Sequence, residues 1–195
     1  MGLHFTSQDC SLCGNSRKKY NKLADGVICP DCRKPLQKNL RFLSRAWSKS
    51  MTLGEVRGIQ GLYARQPEYE RVFAPDFIQG EFQADNTNRL FRAEKDTLLL
   101  PLDLVTGYAE CLLYSESSDE DGHTTTTYDG SCLWISLNGL PSVWCRWTPP
   151  VKKKFFERQK KAQARFLEAM GPVMTYLQGL TGQGASPTQT IYTIS

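Results

Sequence analysis

Two periods of hydrophobic and polar residues organise the second half of the chain. From Asp76, Phe77, Gln79, Glu81 and Gln83 alternate with Ile78, Gly80, Phe82 and Ala84, then Asp85-Asn86-Thr87-Asn88 supplies turn chemistry and residues 89–92 return. This period of two predicts a hairpin. Further strand-like runs over 97–102, 105–115, 124–128 continuing into 131–137, and 142–148 bring the expected total to six or seven strands. After 151 the period changes. Phe155, Ala162, Phe166, Ala169, Val173, Leu177 and Leu180 recur every three or four residues, the apolar stripe of a long helix. Lys152, Lys153, Lys154, Arg158, Lys160, Lys161 and Arg165 lie on its opposite face, and Gly171-Pro172 is expected to kink or split it. Strands in sequence followed by one helix predict an antiparallel α+β module over 76–180. The tail, 181–195, is rich in Gly, Ser, Thr and Pro and is expected to be flexible, with Ile191-Tyr192-Thr193-Ile194 as a candidate edge strand. Ahead of the module, 51–75 reads as a helical linker. Its helix is expected over 52–59, weakened by Gly54, Gly58 and Gly61, with a boundary between Pro67 and Pro75.

The first 50 residues have a different character. Lys18 to Leu23 and Val27-Ile28 read as two short strands about the Asp25-Gly26 turn, and a helix with Pro30 in its first turn follows. This hairpin is bracketed by Cys10-Ser-Leu-Cys13 and Cys29-Pro-Asp-Cys32, two CxxC pairs separated by fifteen residues. Each CxxC loop lets two sulfurs approach one metal at about 2.3 Å, and two loops complete a closed tetrahedron with no open position. The expectation is a structural Zn²⁺ held by Cys10, Cys13, Cys29 and Cys32. Knuckle, hairpin and helix in that order describe a treble clef over 1–50. Cys111, Cys132 and Cys145 lie in apolar runs and read as small buried hydrophobes. If Asn138-Gly139 is a two-residue hairpin turn, Cys132 and Cys145 are expected to face each other.

The pattern Cys10-x-x-Cys13-Gly14, then Leu23-x-Asp25-Gly26-x-Ile28-Cys29-x-x-Cys32, resembles a family of short bacterial treble-clef zinc domains of unknown function. The resemblance covers about 35 residues and implies ligation of one zinc, with no activity attached. Members resembling this are often joined to a small β-rich module, and the order of elements after residue 76 is similar to a PH-like sandwich plugged by a C-terminal helix.

Composition narrows the classes. The chain has 195 residues, 40% hydrophobic and 23% charged, which suits one globular domain plus a smaller one and excludes wholesale disorder. There is no long apolar run and no leader-like N-terminus, so the expected location is the cytoplasm. The net charge of +4 conceals three blocks: 10 basic against 3 acidic residues in 1–50, 7 against 15 in 51–150, and 7 against 2 in 151–195. Basic ends flanking an acidic middle suit three readings: an acidic protein partner, nucleic acid, or internal docking of basic helices on an acidic sheet.

Candidate chemistry beyond the metal is sparse. The only histidines are His4 and His123, and no phosphate loop, dinucleotide fingerprint, nucleophile elbow or HExxH motif occurs. The acidic loop before His123 lacks the alternating ligands of a calcium loop. The chain therefore reads as a non-enzymatic zinc protein, bacterial or from a phage, acting as a protein-interaction adaptor or inhibitor. Trp134, Trp144 and Trp147 are the candidate contact residues, because tryptophan dominates interface hot spots. The alternative is nucleic-acid binding by Arg17, Lys18, Lys19 and Lys22 on the hairpin and Arg33, Lys34, Lys38, Arg41 and Arg45 beyond it. A third reading docks the last helix and the PH-like module on an anionic membrane surface.

Overall fold

In the computed structural model, residues 7–37, 51–95, 97–118, 120–147 and 156–194 are described. β1 (Gln8–Asp9) pairs antiparallel with β2 (Ser16–Arg17), and β3 (Asn21–Lys22) with β4 (Val27–Ile28). Helix α1 (Pro30–Gln37) follows, its first position taken by a proline whose missing amide would have had no partner inside the helix. Lys38, Arg41, Arg45, the start of the expected basic run at 152–154, Phe155 and His4 lie outside the described residues.

Helix α2 (Leu53–Val72) is far longer than the expected 52–59. Its start carries a capping box: the Thr52 hydroxyl accepts from the Glu55 amide at 3.2 Å, and the Glu55 carboxylate accepts from the Thr52 amide at 2.7 Å. Pro67, expected near a boundary, lies inside the helix. Tertiary packing overrides the local penalty, because Val56, Ile59 and Leu62 are buried along one stripe. Gly58 lies close to Leu140, and a Cβ at that position would sit 2.6 Å from the Cδ2 tip and oblige that side chain to turn.

Two four-stranded sheets make the rest. β5 (Phe77–Gln79), β6 (Phe82–Asp85), β7 (Leu90–Arg92) and β8 (Leu100–Pro101) form an antiparallel meander, with the predicted turn after Asp85 joining β6 to β7. The larger sheet has the order β11-β10-β9-β12, from β9 (Val105–Ser118), β10 (Thr124–Leu137), β11 (Leu140–Trp147) and β12 (Ser186–Ile194). Asn138-Gly139 forms the predicted two-residue turn between β10 and β11, with Gly139 at φ 66°.

Three expectations are corrected. The stretch expected to be a flexible tail forms β12, whose backbone pairs with β9 from Ser186 to Ile194, so the candidate edge strand at 191–194 is present and extends back to Ser186. β12 runs parallel to β9, so the module is mixed rather than antiparallel. Its parallel direction follows from the helix between β11 and β12, which carries the chain back across the sheet before the last strand begins. Helix α3 (Phe156–Thr181) passes through Gly171-Pro172 as one helix.

The apolar stripe of α3 is buried as the period predicts: Ala162, Phe166, Val173 and Leu177 are inside, joined by Met170. One face meets β9 and β10, where Gln163 Nε2 donates to Glu110 Oε1 at 2.9 Å and Gln159 Nε2 to Tyr114 Oη at 2.7 Å. The small sheet meets another face: Phe77 and Tyr176 stack with centroids 4.6 Å apart, and Gln79 Nε2 donates to the Ala169 carbonyl at 3.0 Å. A single core therefore joins both sheets, α2 and α3. It continues into the N-terminal unit through Met51, Leu23, Ile28, Cys10 and Cys29.

Candidate metal centre

Cys10 and Cys13 sit on a knuckle whose geometry is backbone-determined. The Cys10 amide donates to the Asn15 carbonyl at 3.0 Å and the Gly14 amide to the Cys10 carbonyl at 2.8 Å, with Gly14 at φ 72°, where a residue without Cβ is favoured. The knuckle is pinned to the hairpin by Ser11, whose amide donates to the Val27 carbonyl at 2.9 Å and whose hydroxyl accepts from the Val27 amide at 3.1 Å. Gly26 permits this approach, since a Cβ there would lie 2.7 Å from Ser11 Oγ. The second pair straddles the start of α1, where the Arg33 amide donates to the Cys29 carbonyl at 3.0 Å.

These elements bring one sulfur from each of the four cysteines within 4.8 Å of every other. Cys13 Sγ and Cys29 Sγ are 3.9 Å apart, and metal–sulfur bonds of about 2.3 Å in a tetrahedron separate sulfurs by about 3.8 Å. The backbone is arranged for anionic sulfur: the Cys29 amide donates to Cys10 Sγ at 3.3 Å and the Cys32 amide to Cys29 Sγ at 3.5 Å. Burial opposes ionisation of Cys10, yet amides of Cys29, Cys13 and Leu12 outweigh it and bring that thiol down to about 6. Cys32 is pushed up, first by burial and then by donating to the other three sulfurs. A soft divalent cation bound by these sulfurs would displace their protons, which are released as it binds. The residues fit such an ion, with Cys10 and Cys29 buried and Cys13 exposed.

The head is anchored to the rest by contacts that no motif announced. Asp25 Oδ1 accepts the Leu53 amide at 2.7 Å, and the Ala24 amide donates to the Met51 carbonyl at 2.8 Å. The turn of the metal hairpin thus caps the N-terminal end of α2.

The basic candidates divide. Lys18, Lys19, Lys22 and Lys34 are exposed on the head. Arg17 is bound to Asp31 at 3.1 Å, and Arg33 Nη1 donates to Asn21 Oδ1 at 2.6 Å, so both guanidinium groups have partners within the head. The tryptophans are less available than expected for an interface. Trp144 is buried, and Trp134 is half-buried against it with ring centroids 6.0 Å apart. The Trp147 side chain lies outside the described residues. Lys160, Lys161 and Arg165 are exposed on the back of α3, whose apolar stripe is used in the core. Among the described residues no helix is long and apolar enough to cross a membrane. His123 is exposed at the tip joining β9 to β10.

The expected pairing of Cys132 with Cys145 is overturned. Register places Leu133 opposite Cys145, and Cys132 opposite Cys111 on the other neighbouring strand. The two-residue turn forms, and Leu137 opposite Leu140 would by itself align Cys132 with Cys145, but a bulge between Ile135 and Leu137 shifts the register by one residue and puts the two cysteines on opposite faces of the sheet. Comparison with protein-family models, with characterised proteins and with solved structures finds no match for this chain.

Proposed function

We infer that this is a non-enzymatic zinc protein, a treble-clef head fused to a β-rich module, that acts as a protein-interaction adaptor or inhibitor through the basic surface of the head. The single observation that carries this is the all-thiolate cluster at the root of a hairpin bearing exposed Lys18, Lys19, Lys22 and Lys34. Four cysteine ligands close the coordination sphere of Zn²⁺ and leave no position for water or substrate, which favours a structural role over catalysis. The order of knuckle, hairpin and helix supports the treble clef, and a helix lying between two sheets supports a PH-like module, from which the parallel β12 departs. Burial of Trp144 moves the expected contact surface from the tryptophans to the head.

An acidic protein surface is favoured over nucleic acid because the sheet module is itself acidic and would repel a long duplex, while Tyr20 on the hairpin is half-buried and offers little for base stacking. The test combines two measurements on the zinc-loaded protein. Anisotropy with labelled single-stranded and duplex DNA and RNA at low salt is expected to show no binding. Capture from the native host is expected to retain a partner that the Lys18→Glu, Lys19→Glu double variant loses. Tight nucleic-acid binding that falls by orders of magnitude with salt overturns the adaptor reading in favour of the alternative.

A further inference from the structure

We propose that Cys111 and Cys132 are a redox-convertible pair that hydroperoxides close into a disulfide stapling β9 to β10, independently of the metal centre.

The pair is set by topology. β9 and β10 are the two inner strands of the larger sheet, and Cys111 and Cys132 are direct register partners across them. Directly opposed residues of an antiparallel pair have Cα atoms about 4.5 or 5.5 Å apart, and both separations fall within the disulfide range of about 4.4 to 6.8 Å. Directly opposed Cβ atoms, about 4.5 to 5.5 Å apart, need to close by about 1 Å to reach the disulfide range, a local adjustment of two neighbouring strands. None of the seven cysteines is in a disulfide.

The surroundings are specific. Both residues are wholly buried, on the face of the sheet opposite α3, in a small apolar cluster with Trp144, and Leu113, Trp134 and Ile191 pack against it. Cys145, the third cysteine of the sheet, belongs to the main core on the other face and cannot compete for either sulfur. The Cys132 thiol hydrogen-bonds to the Cys111 sulfur, outweighs the opposing effect of burial and holds Cys111 below the ordinary thiol range. With Cys111 as the attacking sulfur and Cys132 as the resolving one the steps balance, and they balance equally with the roles exchanged. Ile191 belongs to β12, an edge strand held by β9 on one side, and local opening of such an edge is the route by which a molecule as small as hydrogen peroxide enters.

The chemistry balances without a further reagent. The Cys111 thiolate attacks one peroxide oxygen and the O–O bond breaks, giving a sulfenic acid and hydroxide, which takes the proton Cys111 gave up and leaves as water. The Cys132 sulfur then attacks Cys111, the S–O bond breaks, and the departing hydroxyl leaves as a second water with the Cys132 proton. Two thiols are oxidised by two electrons in total, and one peroxide is reduced to two waters.

The test uses the full-length zinc-loaded protein treated with hydrogen peroxide, quenched, unfolded in alkylating buffer and digested with chymotrypsin without reduction. Cleavage after Tyr114 and Tyr128 separates the two cysteines, so a disulfide appears as two peptides joined through Cys111 and Cys132. The expected result is that linked species, abolished by dithiothreitol, with zinc still bound and tryptophan fluorescence quenched by the new disulfide beside Trp144 and Trp134. Cys145→Ser leaves the linkage unchanged, and Cys111→Ser eliminates it. Recovery of Cys111 and Cys132 fully alkylated after the metal has already been released overturns the proposal, as does a Cys132–Cys145 linkage. Zinc content is read in the same samples. A protein that never held zinc yet forms the linkage counts against the metal reading and leaves this one standing.

Discussion

The side-chain amide of Gln66 pairs with both backbone groups of Leu99: its Nε2 donates to the Leu99 carbonyl at 2.9 Å, and its Oε1 accepts the Leu99 amide at 2.9 Å. A residue on α2 thus acts as a strand for a fully buried residue just ahead of β8. Gln66→Ala leaves a buried donor and a buried acceptor without partners. The expected cost is about 2 to 4 kcal/mol, read as a lower urea midpoint with unchanged slope. Gln66→Glu is expected to recover only part of this, because a carboxylate accepts from the amide but repels the carbonyl.

The glycines of α2 are not equivalent. Gly61 is exposed with nothing near its absent Cβ, whereas a Cβ on Gly58 would meet Leu140 Cδ2 at 2.6 Å and the Gly139 carbonyl at 3.5 Å. Gly61→Ala should stabilise the protein by about 0.5 to 1 kcal/mol, the ordinary helix-interior difference. Gly58→Ala should gain less or lose stability, because the Leu140 side-chain tip has to rotate away from the added Cβ. A Gly58→Ala melting temperature as high as that of Gly61→Ala would contradict the packing described for this face.

Asp85 is a buried carboxylate that ties the β6–β7 turn to the end of α2. It accepts the Ala74 amide at 2.8 Å, the Asn88 amide at 2.8 Å and Asn88 Nδ2 at 2.9 Å. The Ala74 amide and then the Asn88 amide hold its acid constant below the ordinary carboxylate value, against the opposing effect of burial. Because the folded value is depressed, the stabilisation is present above about pH 4, the unfolded carboxylate value, and is lost as pH falls through the folded one. Urea midpoints of the wild type should decline on that acid side. Asp85→Asn should be less stable at neutral pH and show a shallower acid decline.

Cys29 is buried at the start of α1, and its amide donates to Cys10 Sγ. Cys29→Ser is expected to release the metal and unfold the head, since a closed structural site contributes folding free energy directly. Because Asp25 of the head caps the Leu53 amide, hydrogen exchange at the first turn of α2 should also accelerate. Full zinc content with an unchanged melting curve would refute the assignment.

Legibility in the sequence followed the range of the interaction responsible. The four clustered cysteines, the Asn138-Gly139 turn and the buried stripe of α3 are readable, because each is written as a short local motif or a repeat of one. The length of α2 was not, since Gly58 and Pro67 look like breakers until the packing of Val56, Ile59 and Leu62 is known. The Gln66–Leu99 and Asp25–Leu53 pairs have no local signature either, being separated by 33 and 28 residues.

The sequence by itself determined the four cysteines that come together, the periods of the strands and of the last helix, and the separation of basic ends from an acidic middle. Tertiary structure alone decided which strand each strand meets. It extended the candidate edge strand at 191–194 back to Ser186 and made it parallel to β9, and it gave Cys132 the partner Cys111 rather than Cys145. The reason is physical: an alternating pattern specifies which residues share a face, but the neighbour and the register are set by the helix and the second sheet that the face must cover.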